Sequence, residues 1–159
     1  MKTLLRIAAI LWIVWGLVHT LAGVLTINAV VSDNTIQAVT AIADGIDPIL
    51  LDVEYPDAVG GIIGQHGFNL LWFGIVTLIG AIFIWRQSVL AIFITAMVGG
   101  LADIRYFIFI DLGGYANFVP GTVMTIVSAS AIVLSLIAYF GSNRLENIQP
   151  VSTTQAVSA

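Results

Sequence analysis

The chain has 159 residues, of which 59% are hydrophobic and 9% are charged, and its formal net charge at pH 7 is −4. This composition lies outside the range of ordinary soluble domains and predicts that lipid surrounds most of the chain. The absence of cysteine excludes disulfide bonds, thiolate metal sites and thiol redox chemistry. We therefore expect one compact membrane domain over residues 1–148 and a disordered polar tail over residues 149–159.

The first apolar segment, residues 7–31, exceeds the ~20 residues that a helix needs to cross a bilayer. Basic residues precede it and Ala22-Gly23 offers small side chains, so a secretory signal peptide is the alternative interpretation. The run is longer than the apolar core of a signal peptide and includes the bulky side chains of Trp12 and Trp15. These features favour a membrane-spanning helix.

Residues 32–60 form an acidic connector without lysine or arginine. Ser32-Asp33-Asn34 supplies N-cap oxygens, and the apolar residues that follow recur at helical spacing. This pattern predicts a short amphipathic helix on the membrane surface, ending at Asp47-Pro48. The connector carboxylates do not follow the EF-hand spacing, so a solvated acidic loop is a better interpretation than a calcium site. They belong to Asp33, Asp44, Asp47, Asp52, Glu54 and Asp57.

Three further apolar segments follow the connector, over residues 62–85, 89–110 and 118–140. The turn Arg86-Gln87-Ser88 separates the first two, and Asn117 with Pro120 fits the start of the last helix. The chain is therefore predicted to be an all-α, integral membrane four-helix bundle with a short amphipathic extracytoplasmic helix between spanning helices 1 and 2.

The basic residues of the short flanks predict the orientation. Lys2, Arg6, Arg86 and Arg144 fall on one side if the chain crosses four times, and that side should be cytoplasmic. Both termini would then be cytoplasmic, with the 32–60 connector outside the cell membrane. This layout, with a tight second turn, is similar to that of small bacterial four-span families such as the DoxX-like proteins. The resemblance is architectural, and no motif carries functional residues of such a family onto this chain.

Each apolar segment has a stripe of small and polar residues, the kind of face through which helices associate in lipid. The stripes comprise Trp12, Gly16, His19, Gly23 and Thr26 on the first segment; His66, Asn69, Phe73, Thr77 and Gly80 on the second; Ser88, Thr95, Gly99, Asp103 and Tyr106 on the third; and Gly121, Thr125, Ser128, Ser135 and Tyr139 on the fourth. Four stripes that face one axis predict a bundle.

Asp103 is the most informative of these residues, because a carboxylate at the bilayer centre costs on the order of 3 kcal/mol on insertion scales. We expect it ~12 Å below the outer end of its helix. At that depth His66 or Asn69 on the neighbouring helix can hydrogen-bond to it. His19 is expected near the midplane, ~10 Å deeper than His66.

Arg105 is the only basic residue in the predicted outward half. It lies two positions from Asp103, which on a helix points the two side chains to different faces. We therefore expect a structural ion pair between Arg105 and an acidic residue of the 44–57 stretch. Snorkelling of the guanidinium to a lipid phosphate is the alternative.

The leading functional hypothesis is a non-enzymatic accessory or small-molecule-binding unit. Its polar pocket would lie in the outer half of the bundle, with His66, Asn69, Asp103 and Tyr106 as its walls and His19 continuing it inward. The alternative is a proton-linked carrier or channel that uses Asp103, His66 and His19 as a relay. A haem or quinone redox subunit is the third hypothesis, although the expected difference in depth between the two histidines argues against bis-imidazole ligation.

The absence of several known motifs argues against some classes of enzyme and against a nucleic-acid-binding protein. It contains no pattern typical of a nucleophilic triad, a phosphate-binding glycine loop or a nucleic-acid surface. We expect no bound metal and no cofactor. The expected partners are the lipid bilayer and other membrane proteins, without nucleic acid.

Overall fold

The computed structural model describes residues 1–43, 45–51, 55–116 and 121–148, and for residue 48 and residues 142–148 it describes the backbone alone. Within these ranges the fold is all-α and has no β-strand. The helices are α1 (Lys2–Val31), α2 (Thr35–Ile42), a 3₁₀ turn (Pro48–Leu51), α3 (Asp57–Trp85), α4 (Val89–Tyr106), which continues as a π-helical turn (Phe107–Asp111), and α5 (Gly121–Ile148). Four of them are long and apolar enough to cross a membrane, which agrees with the predicted membrane four-helix bundle.

The helices extend beyond several of the apolar segments read from the sequence. α3 begins at Asp57, before residue 62, and the helical backbone of α5 continues past residue 140 to Ile148. Hydropathy marks the length of helix that lipid covers, whereas backbone hydrogen bonds continue into water. Asn117 and Pro120, the predicted start of the last helix, and the tail 149–159 lie outside the described residues.

The amphipathic helix of the connector is present as α2, between α1 and α3 in the chain. Asn34 caps it, because its side-chain oxygen accepts a 2.9 Å hydrogen bond from the backbone N–H of Gln37. The predicted end at Asp47-Pro48 is wrong, since α2 ends at Ile42. Ile46 lies beyond the helix and forms an isolated antiparallel β-bridge with Ala116, which links the connector to the loop after α4.

The four long helices surround one axis. α1 packs against α3 and α5, and α4 packs against the same two helices, so α1 and α4 face each other diagonally across the bundle. At one end the Arg6 guanidinium lies 5.4 Å from the ring centroid of Trp85 and Met1 meets Gly141. We call this the basic end, because it also carries the Arg86 turn, and we call the opposite end, next to α2, the connector end.

Glycines set the distance between α1 and α3, the most extensive helix pair. A Cβ built on Gly23 would lie 2.6 Å from the Gly67 carbonyl oxygen, and one on Gly74 would lie 2.7 Å from the Gly16 carbonyl oxygen. The two helices are antiparallel, because the later glycine of α1, Gly23, meets the earlier glycine of α3, Gly67. Because backbones this close leave no room for a side chain, only glycine fits at these positions.

The predicted polar stripes hold for three helices and fail on part of α3. Buried residues include Thr26 on α1, Thr95 and Asp103 on α4, and Ser128 and Ser135 on α5. On α3 the buried face runs through Gly67, Leu70, Gly74, Thr77 and Gly80. His66 and Asn69 flank this face instead of forming it, because close contact with α1 selects the glycines.

Candidate functional site

A cavity of about 640 Å³ opens at the connector end of the bundle, and all four long helices together with α2 line it. Its volume lies in the range typical of small-molecule sites. Most of the wall is apolar, with a small group of polar side chains among the apolar ones. The polar or charged residues in the wall are His19, Gln37, Thr40, His66, Asp103, Arg105 and Tyr106.

Asp103 lies at the inner wall of this cavity with 4% of its surface exposed. The indole Nε1–H of Trp15 donates a 2.7 Å hydrogen bond to Asp103 Oδ2. The bond joins α1 and α4, the two helices that lie diagonally across the bundle, and a side chain as long as tryptophan is needed to reach across. It supplies one oxygen of a buried carboxylate with a donor, which removes part of the cost of burying it.

His19 lies one turn after Trp15 on α1, and its ring stacks on the Trp15 indole with centroids 3.5 Å apart and planes at 16°. Its Nδ1 is 2.9 Å from the Trp15 carbonyl oxygen. A carbonyl oxygen only accepts hydrogen bonds, so Nδ1 carries the hydrogen of this contact. The opposite nitrogen, Nε2, therefore faces the second carboxylate oxygen, Asp103 Oδ1, at 3.8 Å.

This pair of atoms has a defined proton requirement. With Nδ1–H fixed, a neutral His19 presents a lone pair at Nε2, and an ionised Asp103 presents a lone pair at Oδ1. Two acceptors that face each other repel, and one proton on either atom turns the repulsion into attraction. The geometry of His19 and Asp103 is thus suited to hold a single proton between two membrane helices.

The remaining polar side chains lie on the other walls. His66 is half-buried on α3, and Tyr106 on α4 packs against Gly121 at the start of α5. Arg105 is exposed and adds a guanidinium to the same cavity wall. The cavity therefore combines one carboxylate, one guanidinium and two imidazoles.

Four of the five pocket residues named from the sequence line this cavity, and Asn69 does not. The Asn69 side-chain oxygen instead accepts a 3.2 Å hydrogen bond from Trp72 Nε1 on its own helix. The expected hydrogen bond between Asp103 and His66 or Asn69 is absent among the described side chains; Trp15 donates to the carboxylate instead. The contact of His19 with Asp103 places these two side chains at one level. His66 lies nearer the connector end than His19, as expected, because Thr26 meets Gly67 and Thr20 meets Gly74 in the antiparallel pair of α1 and α3.

The predicted ion pair of Arg105 falls partly on residues outside the described ranges. Of the acidic residues between positions 44 and 57, the structure describes Asp47 and Asp57, and neither forms an ion pair with Arg105. Asp44, Asp52 and Glu54 lie outside the described residues. In the described part of the chain, no three histidine, aspartate or glutamate side chains are grouped so as to hold a metal ion.

Trp15 is the residue of this site that the sequence reasoning missed. In the sequence, its bulk argues only against a signal peptide. The available signal was its spacing, because a tryptophan four residues before His19 and three after Trp12 shares the face of both. An indole N–H in a membrane helix needs an acceptor, and Asp103 is the strongest acceptor in the apolar segments.

No protein family, no curated protein and no solved structure matches this chain. The function of the cavity must therefore be inferred from the chemistry of its own residues.

Proposed function

We propose that this protein is a non-enzymatic membrane unit that binds a small molecule in the connector-end cavity. The observation that carries the proposal is the convergence of polar groups from separate helices on one mostly apolar cavity of about 640 Å³. Binding sites for small molecules have this composition, in which apolar walls provide affinity and a few polar groups fix orientation. The proposed contacts are His19, His66, Asp103 and Tyr106, and they exclude Asn69 because it lies outside the cavity wall.

The test is to fill the cavity with a larger side chain and to identify which copurified small molecule the protein then loses. Ala22 lines the cavity and is half-buried, so Ala22→Phe occupies the space in which the ligand would bind. Ala96→Phe is the matched control, since Ala96 is also half-buried but lies outside the cavity wall. Both variants and the wild type are purified from native membranes in mild detergent, and copurified small molecules are measured by mass spectrometry.

We expect a small molecule that accompanies the wild type and Ala96→Phe and is depleted about tenfold or more in Ala22→Phe. Thermal unfolding of the three proteins checks that each is folded. Equal amounts of every copurified molecule in Ala22→Phe and in the wild type would contradict the proposal.

A proton-linked carrier is the second candidate, and the facing acceptors His19 Nε2 and Asp103 Oδ1 favour it. In a carrier, solute or proton movement would need the proton held between these two atoms. Proteoliposomes that contain a trapped pH indicator measure acid-driven proton entry.

His19→Gln and Asp103→Asn should each abolish this flux, whereas Arg86→Gln at the basic end should leave it unchanged. Absence of flux in the wild type, or flux that persists in His19→Gln, removes this candidate.

We also propose that the protein lies in the cell membrane with both termini in the cytoplasm and the acidic connector outside. The positive-inside rule supports this orientation, because the basic residues of the short flanks are grouped on one side.

A further inference from the structure

Arg105 gives the cavity a positive charge that no described acidic side chain neutralises. Arg105 forms no ion pair with any acidic side chain that the structure describes, namely Asp33, Asp47, Asp57, Asp103 and Asp111. A guanidinium on a spanning helix is costly unless an anion or water compensates it. A cavity wall that offers such a group is suited to an anionic ligand.

Asp103 does not provide this compensation, although it is only two positions away on α4. The two side chains point to different faces of the helix. The Asp103 carboxylate is 4% exposed and is directed at Trp15 and His19, whereas Arg105 is exposed. An anion at the guanidinium would therefore meet a positive group, while the carboxylate oxygens are directed at the two aromatic side chains.

The opposite wall of the cavity is apolar and open to the surroundings of the bundle. Val18, Leu21 and Leu25 on α1 line the cavity and are 41%, 58% and 46% exposed. A residue that both lines a cavity and is exposed on a spanning helix marks an opening toward the acyl chains of the membrane. A ligand can therefore enter from the lipid phase and leave an alkyl chain along these side chains.

We propose that the ligand is an anionic amphiphile, because the cavity combines the charge of Arg105 with an exposed apolar wall on α1. Its carboxylate or phosphate group would be bound by Arg105, and its acyl chain would lie along Leu21 and Leu25. The proposal rests on the proposed small-molecule binding in this cavity. A guanidinium forms two parallel hydrogen bonds with either anion, so both headgroups belong to one class. A free fatty acid and an anionic phospholipid are two sources of that chemistry.

The test compares ligands that differ in charge but not in chain. The full-length protein in a neutral detergent is mixed with stearate or octadecanol, and separately with phosphatidylglycerol or phosphatidylcholine of the same chains. Native mass spectrometry of the intact protein counts each adduct. We expect at least one of the two anionic ligands to bind about tenfold better than its neutral or zwitterionic partner, the size of one charge-assisted hydrogen bond. The ligand that shows this preference identifies the source.

Two arginine variants separate the cavity from general charge effects. Arg105→Gln should reduce the preference for the anion to about twofold or less, because the amide keeps a donor but loses the charge. Arg86→Gln is the matched control at the basic end, where the guanidinium lies 5.9 Å from the Phe83 ring, and it should keep the preference. A preference that survives in Arg105→Gln, or its absence in the wild type, overturns the inference.

The cavity-filling variant shows which of the two proposals has failed. In one outcome, each neutral or zwitterionic ligand binds as well as its anionic partner, and Ala22→Phe removes the adducts. Binding in the cavity is then supported, and the proposed preference for an anionic headgroup is wrong. If Ala22→Phe leaves all adducts unchanged, the ligands do not occupy the cavity, and the proposed function fails with the inference.

Discussion

At the scale of single residues, the hydrogen bond between Trp15 and Asp103 explains how a carboxylate is accommodated inside an apolar bundle. The indole provides a donor without adding a second charge, and its ring also covers His19. Replacing the donor would leave one carboxylate oxygen buried without its partner. The cost of an unsatisfied buried group exceeds the gain from making the bond.

We predict that Trp15→Phe destabilises the protein by about 1–3 kcal/mol more than Trp12→Phe does. Trp12 is the matched control because both tryptophans are fully buried and lose the same atoms, while Trp12 packs against Gly99. Unfolding in mixed micelles with increasing SDS measures both free energies.

The same comparison in an Asp103→Ala background isolates the hydrogen bond from the packing. There the difference between the two tryptophan variants should shrink to within about 0.5 kcal/mol. A difference that persists without the carboxylate would mean that Trp15 stabilises the bundle through packing alone.

At the scale of helices, the contact of α1 with α3 places the groups of the site. Gly16 and Gly23 are two turns apart on α1, and they meet Gly74 and Gly67 on α3. The close approach of these backbones sets the rotation of α1, which directs Trp15 and His19 at α4 across the axis. It also sets the rotation of α3, which moves His66 to the flank of the buried face and Asn69 out of the cavity wall.

We predict that Gly74→Ala destabilises the protein by about 1–3 kcal/mol, because its Cβ would meet the Thr20 side chain and the Gly16 carbonyl oxygen. Gly61→Ala on the same helix is the control, since nothing lies within 4 Å of its Cβ. It should be neutral or stabilising by up to about 1 kcal/mol, the difference in helix propensity. Equal effects of the two substitutions in SDS unfolding would show that the close packing of α1 and α3 is not required.

At the scale of the whole molecule, the two ends of the bundle differ in charge. The basic end carries Lys2, Arg6 and Arg86, and the connector end carries α2 and the opening of the cavity. An orientation with the basic end in the cytoplasm would direct the cavity to the outer leaflet and the space outside the cell.

Cysteine labelling measures the orientation directly, because the native chain has no cysteine. We predict that a membrane-impermeant maleimide labels Ser32→Cys and Leu112→Cys in intact cells, since both positions are exposed at the connector end. Gln87→Cys at the basic end should be labelled only after lysis. The reverse pattern would place the cavity on the cytoplasmic side. Labelling of Ser32→Cys and Leu112→Cys on opposite sides of the membrane, or of Gln87→Cys on the same side as either, would contradict four crossings.

The sequence by itself determined the helical class, the four long apolar helices and the short helix in the connector. These features follow from hydropathy and local hydrogen bonding, and each depends on residues that are close together in the chain. The sequence also pointed to His19, His66, Asp103 and Tyr106 as candidates, which line one cavity, because polar residues in apolar segments are costly wherever they point.

Only the tertiary structure decided that Trp15 binds Asp103, that His19 lies at the level of the carboxylate, and that Asn69 bonds to Trp72 on its own helix. The rotation and vertical offset of each helix depend on glycine contacts between segments that are far apart in sequence, such as Gly23 with Gly67. Hydrophobic periodicity carries no information about those offsets when lipid surrounds every helix, because apolar residues then face lipid as readily as protein.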